Sequence, residues 1–144
     1  NIIRHKVEKD DTDMMLAVEK AIELGYHNIT IFGGTGGRTD HTIANLQTML
    51  YASINGVNIK MMDSGNVYRV ITDEKITLQA KNKGTFSVFA MGGRAKGVNI
   101  EGAMYSMKNG ELTSDNPTAV SNSFAGHNVN ISVEEGSLLI IEER

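Results

Sequence analysis

Hydrophobic and polar positions recur on two different periods along this chain, and the change comes near residue 66. In the first half, Met14, Val18, Ala21 and Ile22 follow one another at helical spacing. Thr12 or Asp13 is placed to cap the start of that helix, and Gly25 sits where it ends. Asn28 to Phe32 is a short β-branched and aromatic run that predicts a buried strand. A glycine-rich turn, Gly33-Gly34-Thr35-Gly36-Gly37, comes next. Ile43, Leu46, Leu50 and Ile54 then mark the apolar face of a second helix, closed by Asn55-Gly56, and Val57 to Met62 reads as another strand. Helix, strand, glycine loop, helix and strand in that order predict a parallel α/β layer.

Beyond residue 66 the helical period disappears. Short β-like runs cover Val67–Thr72, Ile76–Gln79, Thr85–Met91, Val98–Ile100, Met104–Met107, Val129–Val133 and Leu138–Ile141. Turn signals separate them at Asp73-Glu74, Asn82-Lys83-Gly84, Gly92-Gly93, Asn109-Gly110 and Glu135-Gly136. Val129, Ile131 and Val133 alternate as in a half-buried strand. Asn109-Gly110 has the chemistry of a hairpin turn. This half is expected to be an antiparallel sandwich or barrel. The predicted fold class is therefore α/β over residues 1–66 followed by an all-β sandwich over residues 67–144.

The chain has 144 residues, enough for one ordinary domain or two small ones with a real core. Hydrophobic residues make up 40% and charged residues 22%, which excludes a disordered chain. A net charge of −3 argues against broad nucleic-acid binding, which needs clustered positive charge. No apolar run is long enough to span a bilayer, so no membrane partner is expected. The absence of cysteine excludes disulfides, thiolate nucleophiles and cysteine-based zinc sites, and it fits a reducing, cytoplasmic location. The sequence begins directly in Ile2-Ile3 without an initiator Met, and it reads as the middle of a larger protein.

Three segments carry candidate chemistry. Lys9-Asp10-Asp11-Thr12-Asp13 crowds carboxylates at a helix start. It is either a solvated acidic first turn, which suits the helix dipole, or a Mg²⁺ site with Lys9 facing a phosphate. Gly33 to His41 lies between a strand and a helix, where ligands sit in open α/β sheets. It matches neither GxxxxGK[ST] nor GxGxxG. The plain alternative is a tight connection with Asp40 as N-cap, but Arg38 beside Asp40 adds a phosphate-binding fork and a second metal-capable carboxylate. The third segment, Ser121-Asn122-Ser123-Phe124, is either a turn with local hydrogen bonds or part of a pocket for a heteroaromatic ring.

KDDTDMMLAVEKAIELGYHNITIFGGTGGRTDHTIANL, residues 9–46, resembles the central block of bacterial thiamine pyrophosphokinases, and AVSNSF at 119–124 with GHNVNISVEEGSLLII resembles their C-terminal block. The likeness covers essentially the whole chain. It implies the C-terminal part of an α/β ATP-binding catalytic domain over 1–66 and a β-sandwich thiamine-binding domain over 67–144. It also implies a homodimer with sites between subunits, and Mg²⁺-dependent transfer of pyrophosphate from ATP to the thiamine hydroxyl, leaving AMP. Matched residue by residue, the K-D-x-T-D motif implies ATP-binding roles for Lys9, Asp10 and Thr12, with Asp10 and Asp13 near the metal. The G-G-R-x-D-H motif implies Gly36, Gly37, Arg38, Asp40 and His41 at the nucleotide. Asp13, Arg38 and Asp40 are the expected catalytic residues, and Asp40 is also an expected metal ligand. Asn45, one turn into the helix, is a further ATP-side candidate, and Ser121 and Asn122 match the S-N pair beside the thiamine pyrimidine. The family's earlier G-D-x-D-S motif does not occur, and the resemblance puts it upstream of Asn1. Two alternatives stand beside this reading: a related Mg²⁺-dependent phosphotransferase acting on another alcohol, and a non-catalytic module that binds thiamine or nucleotide.

Overall fold

The computed structural model describes residues 11–144. Helix α1 spans Asp13–Glu23. Its cap is Thr12, whose Oγ1 accepts from the Met15 N–H at 3.2 Å. At its other end the Tyr26 N–H reaches the Ala21 carbonyl and the Gly25 N–H reaches Ile22. Gly25 at φ +82° makes that paired closure possible. Strand β1 (Asn28–Phe32) leads through the glycine loop into helix α2 (Thr39–Ile54), and β2 (Asn58–Met62) follows. These elements match the sequence pattern almost residue for residue.

The expected face of α2 matches only in part: Leu46 and Leu50 pack against the helix-side core. Asn45, Thr48, Met49, Ala52 and Ser53 are buried, whereas Ile43 and Ile54 are exposed. Small and polar residues let the helix settle close to the sheet and reach specific acceptors. Ser53 is joined through Thr72 to Ser137 by two hydroxyl contacts of 2.8 Å each. Nor is Asp40 the N-cap. Arg38 holds that position with no side-chain capping bond, and Asp40 lies inside the first turn.

The remaining strands are β3 (Asn66–Thr72), β4 (Lys75–Leu78), β5 (Thr85–Glu101), β6 (Met107–Thr113), β7 (Ala119–Ser123), β8 (Val129–Ser132) and β9 (Glu135–Glu143). Among the described residues all strands join one curled sheet in the order β1-β2-β3-β9-β5-β8-β4, with β6 and β7 branching from β5. Among the described residues β1 and β2 pair in parallel, and the other pairings are antiparallel. The fold is thus mostly β with two helices, and the expected parallel α/β layer is represented among the described residues by the β1–β2 pair.

Several turn expectations are overturned. Gly92-Gly93 does not end a strand: β5 runs through it, its pairing with β9 is interrupted between Met91 and Lys96, and β6 and β8 join it after the glycines. Left-handed φ values of +71° and +135° there bend the backbone without breaking the strand. Asn109-Gly110 lies within β6 as an irregularity, and the Asn99 amide oxygen takes up the Asn109 N–H at 2.9 Å. The expected strand Met104–Met107 is instead mostly connection, with Met104 and Tyr105 exposed. Ser121 to Ser123 belongs to β7, not to a turn.

Two hydrophobic clusters form on opposite faces of shared strands. Val18, Ile31, Met49, Ile59, Met61, Val70 and Leu139 pack beneath the helices. Ile71, Phe86, Val88, Val129, Ile131, Leu138 and Ile140 fill the β side. Glu142 continues the second face, at only 6% exposure. Arg69 Nη1 at 2.5 Å and Lys81 Nζ at 2.9 Å neutralise it, and Lys81 also stands 5.1 Å over the Phe124 ring. Removing one member of a buried ion pair strands the other charges. Glu142→Ala is therefore expected to lower unfolding stability by roughly 3 kcal/mol in denaturant titrations; a loss within experimental error would show that the two cations find solvent unaided.

Candidate active site

The start of α1, the glycine loop after β1 and the start of α2 surround an open cavity of about 720 Å³. Ligands favour this position because helix N-termini offer unpaired N–H groups and strand ends leave a crevice. Asp11, Thr12, Asp13 and Met14 line one side, and Gly33, Gly34, Gly36, Gly37, Arg38, His41 and Asn45 line the other. The two motif segments that the sequence singled out therefore meet across one cavity. Lys9 and Asp10 lie outside the described residues.

The glycines answer two separate demands. Gly36 and Gly37 adopt φ +97° and +70°, a region costly for residues with a Cβ. Gly34 has no such angle but no space: a Cβ there would lie 2.4 Å from Met61 Sδ and 3.0 Å from Ile31 Cγ2. Buried Asn45 donates its amide to the Gly34 carbonyl at 2.8 Å. Its side chain thereby braces the loop, a role the sequence did not reveal.

Arg38 and Asp40 form a two-pronged pair, Nε to Oδ1 at 3.1 Å and Nη2 to Oδ2 at 2.6 Å. The Arg38 fork, helped by the His41 N–H, holds the Asp40 carboxyl below the usual carboxylate range. Asp40 keeps to the rim and is not among the residues lining the cavity. Both side chains are exposed, so the pair can exchange partners readily. Among the described residues no three histidine or acidic side chains gather as a metal cluster. The oxygen donors of Asp11 and Asp13 on the cavity wall nevertheless fit the one or two carboxylates that hold Mg²⁺ beside substrate phosphates.

Ser121 and Asn122 stand apart from this cavity, on β7. Asn122 is buried, and its amide is occupied at both ends: Oδ1 accepts from the Tyr105 and Ser123 N–H groups, and Nδ2 donates to the Tyr105 carbonyl at 2.7 Å. Ser121 is exposed at φ +59°, a left-handed angle unusual for serine. This strained serine marks the segment more sharply than its sequence did.

Sequence reasoning missed Asp63, at the end of β2. Its Oδ1 accepts from the Gly65 and Asn66 N–H groups at 2.8 and 2.7 Å, and its Oδ2 accepts from Tyr68 and Thr35 hydroxyls at 2.9 Å each. The Asp-Ser-Gly string was a readable turn signal; the bond to Thr35, far back in the chain, was not.

A curled, mostly β sheet carrying two helices, with an open cavity at a glycine-rich strand-to-helix loop, defines the class of fold, and the comparisons narrow it. Residues 1–61 match the family model "Thiamin pyrophosphokinase, catalytic domain", and residues 73–138 match "Thiamin pyrophosphokinase, vitamin B1 binding domain". Thiamine pyrophosphokinase of Bacillus subtilis (strain 168) is 27% identical over 138 residues, covering 95% of this chain and 64% of that protein. The crystal structure of the Bacillus subtilis enzyme superposes with a TM-score of 0.86, at 27% identity, over 95% of this chain and 64% of its own. That of Geobacillus thermodenitrificans gives 0.82 at 27% identity, over 96% and 64%. The chain belongs to the thiamine pyrophosphokinase family, and it spans 64% of the length of these relatives.

The acid response of Asp63 follows from its partners. The Gly65 N–H first, then Tyr68, Asn66 and Thr35, lower its pKa from 3.8 to about 2. A depressed carboxyl pKa stabilises the fold above the unfolded value, and that stabilisation drains away as pH falls from about 4 toward 2. Asp63→Asn is expected to flatten the dependence of unfolding free energy on pH in that window, read by denaturant titration at successive pH values. An unchanged slope would mean the carboxylate is not held as described.

Proposed function

We propose that the protein of which this chain is part transfers the diphosphate of ATP to the hydroxyl of thiamine, giving thiamine diphosphate and AMP. The observation that carries the reading is the single cavity in which Asp11 to Met14 faces the glycine loop, Arg38 and the first turn of α2. That arrangement suits a triphosphate: glycines permit close backbone approach, the helix start favours anions, and a guanidinium fork matches phosphate oxygens.

In this reading the thiamine hydroxyl oxygen attacks the β-phosphorus of ATP. An O–P bond forms there, the bond from the β-phosphorus to the oxygen bridging the α-phosphate breaks, and AMP leaves with that oxygen. Such transfers depend on positioning and charge neutralisation more than on covalent chemistry. Arg38 turns from Asp40 to the phosphates, Thr12 fixes the acidic segment by capping α1, and Asn45 keeps Gly34 in place. Lys9, Gly36, Gly37 and His41 complete the nucleotide side. The proton released by the hydroxyl passes to a carboxylate, that of Asp13 or of Asp40. Asp13, beside Asp11 on the same cavity wall and with Asp10 and the Asp40 freed from Arg38, would hold Mg²⁺. Bound there, the ion supplies neutralisation of phosphate charge.

Residues 1–66 form the ATP-side part, with the parallel β1–β2 pair as its described strands, and 67–144 the sandwich-like thiamine part. Ser121 and the Asn122-braced backbone take the thiamine ring. The separation of β7 from the nucleotide cavity supports a homodimer in which one subunit's β7 faces the other's cavity. ATP as co-substrate implies a cytoplasmic setting; no helix among the described residues is long and apolar enough to cross a membrane.

The test is product analysis in the intact protein. AMP should form only when thiamine and Mg²⁺ are both present, and Arg38→Ala should lower kcat/KM by roughly 10²-fold. ADP as product, turnover independent of thiamine, or an undiminished Arg38→Ala rate would contradict the assignment.

A further inference from the structure

The glycine loop hangs from two anchors that come from different parts of the chain. One is the Asn45 amide on the Gly34 carbonyl, from α2. The other is Asp63, from the turn after β2, which accepts from the Thr35 hydroxyl at 2.9 Å. Thr35 is half-buried and is absent from the lining of the cavity, whereas Gly33, Gly34, Gly36 and Gly37 all line it. The threonine side chain thus points behind the loop while its backbone neighbours face the ligand side.

Asp63 is itself rigidly held. The Gly65 and Asn66 N–H groups fix one oxygen, and Tyr68 on β3 shares the other oxygen with Thr35. Among the described residues the carboxylate forms no ion pair, and its orientation is set by these hydrogen bonds, while Arg144 Nη1 donates to the Asp63 backbone carbonyl at 3.0 Å. Beyond Thr35, the left-handed Gly36 and Gly37 have wide conformational freedom, and Arg38 follows directly. A flexible stretch before the phosphate-binding arginine needs a fixed point upstream.

We propose that Asp63 is a positioning residue: through the Thr35 hydroxyl it fixes the glycine loop, and so Arg38, in the conformation that receives the triphosphate. This rests on the nucleotide reading of the cavity. Ordering a loop in advance removes an entropic cost from binding, so its loss should appear mainly in nucleotide affinity.

The experiment uses Thr35→Val, which keeps shape but removes the donor, and Thr35→Ser, which restores it. Asp63→Asn serves as a second variant: it can retain an oxygen for the Gly65 and Asn66 N–H groups while losing a carboxylate oxygen for Thr35. Amide exchange of Gly33 to Gly37 is measured without ligand, and KM for ATP and kcat are measured in the intact protein. In Thr35→Val and Asp63→Asn the loop amides should exchange about tenfold faster and KM for ATP should rise about tenfold, with kcat within about twofold; Thr35→Ser should behave as the unsubstituted protein. Unchanged loop exchange overturns the proposal, and so does faster exchange with an unchanged KM. If the unsubstituted protein fails to bind ATP, the nucleotide reading falls, and the positioning role for the triphosphate falls with it. The exchange data still report separately whether the Thr35–Asp63 bond holds the loop.

Discussion

Along β9, Leu139 turns toward the helices while Leu138 and Ile140 turn toward the β-rich side, and this period-two alternation binds the two halves of the molecule together. The neighbouring strands follow the same rule. Val70 on β3 faces the helices and Ile71 faces away; Phe89 and Met91 on β5 lean toward the helices, while Val88 and Ala90 fill the opposite core. Because the same backbone carries both clusters, a register slip of one residue would empty both cores at once. The glycine loop and the start of α2 are built on the helix-covered face, so the position of the cavity depends on that shared sheet.

The constraint also explains why a charged residue is tolerated so far inside. Glu142 occupies the β-side face two residues beyond Ile140, where the alternation calls for an apolar group. Arg69 on the adjacent strand and Lys81 from the β4–β5 connection compensate it. Lys81 also donates to the Glu143 carbonyl, so the end of β9 is tied down from two directions. Such a buried network fixes register at some cost in desolvation.

Much of the helical half was legible from spacing and turn chemistry. Thr12 before an amphipathic run, Gly25 after it, and the β-branched Asn28–Phe32 segment each state one local preference that the fold obeys. The reading failed where a tertiary partner outweighed the local pattern. Of the predicted α2 face, Leu46 and Leu50 pack, but Ile43 and Ile54 are exposed, because the helix is turned toward the buried Asn45 and Ser53 and their hydrogen bonds. Asn109-Gly110 has hairpin chemistry, yet the Asn99 side chain absorbs it inside a strand. At the cavity, the motif residues Asp13, Gly36, Gly37, Arg38 and His41 were readable because they sit in short strings. Asp63 and the bracing use of Asn45 and Asn122 were not, since each is defined by a contact with a distant segment.

The central claim is that the triphosphate of ATP lies across the glycine loop and the first turn of α2. An amide-exchange footprint tests it most directly: exchange is followed along the chain with and without ATP and Mg²⁺. The account predicts slowed exchange at Gly33 to Gly37 and at Thr39 to His41, with the outer face of β4 and β8 unaffected. Protection confined to that β4–β8 face, or none at the glycine loop under saturating ATP, would contradict it.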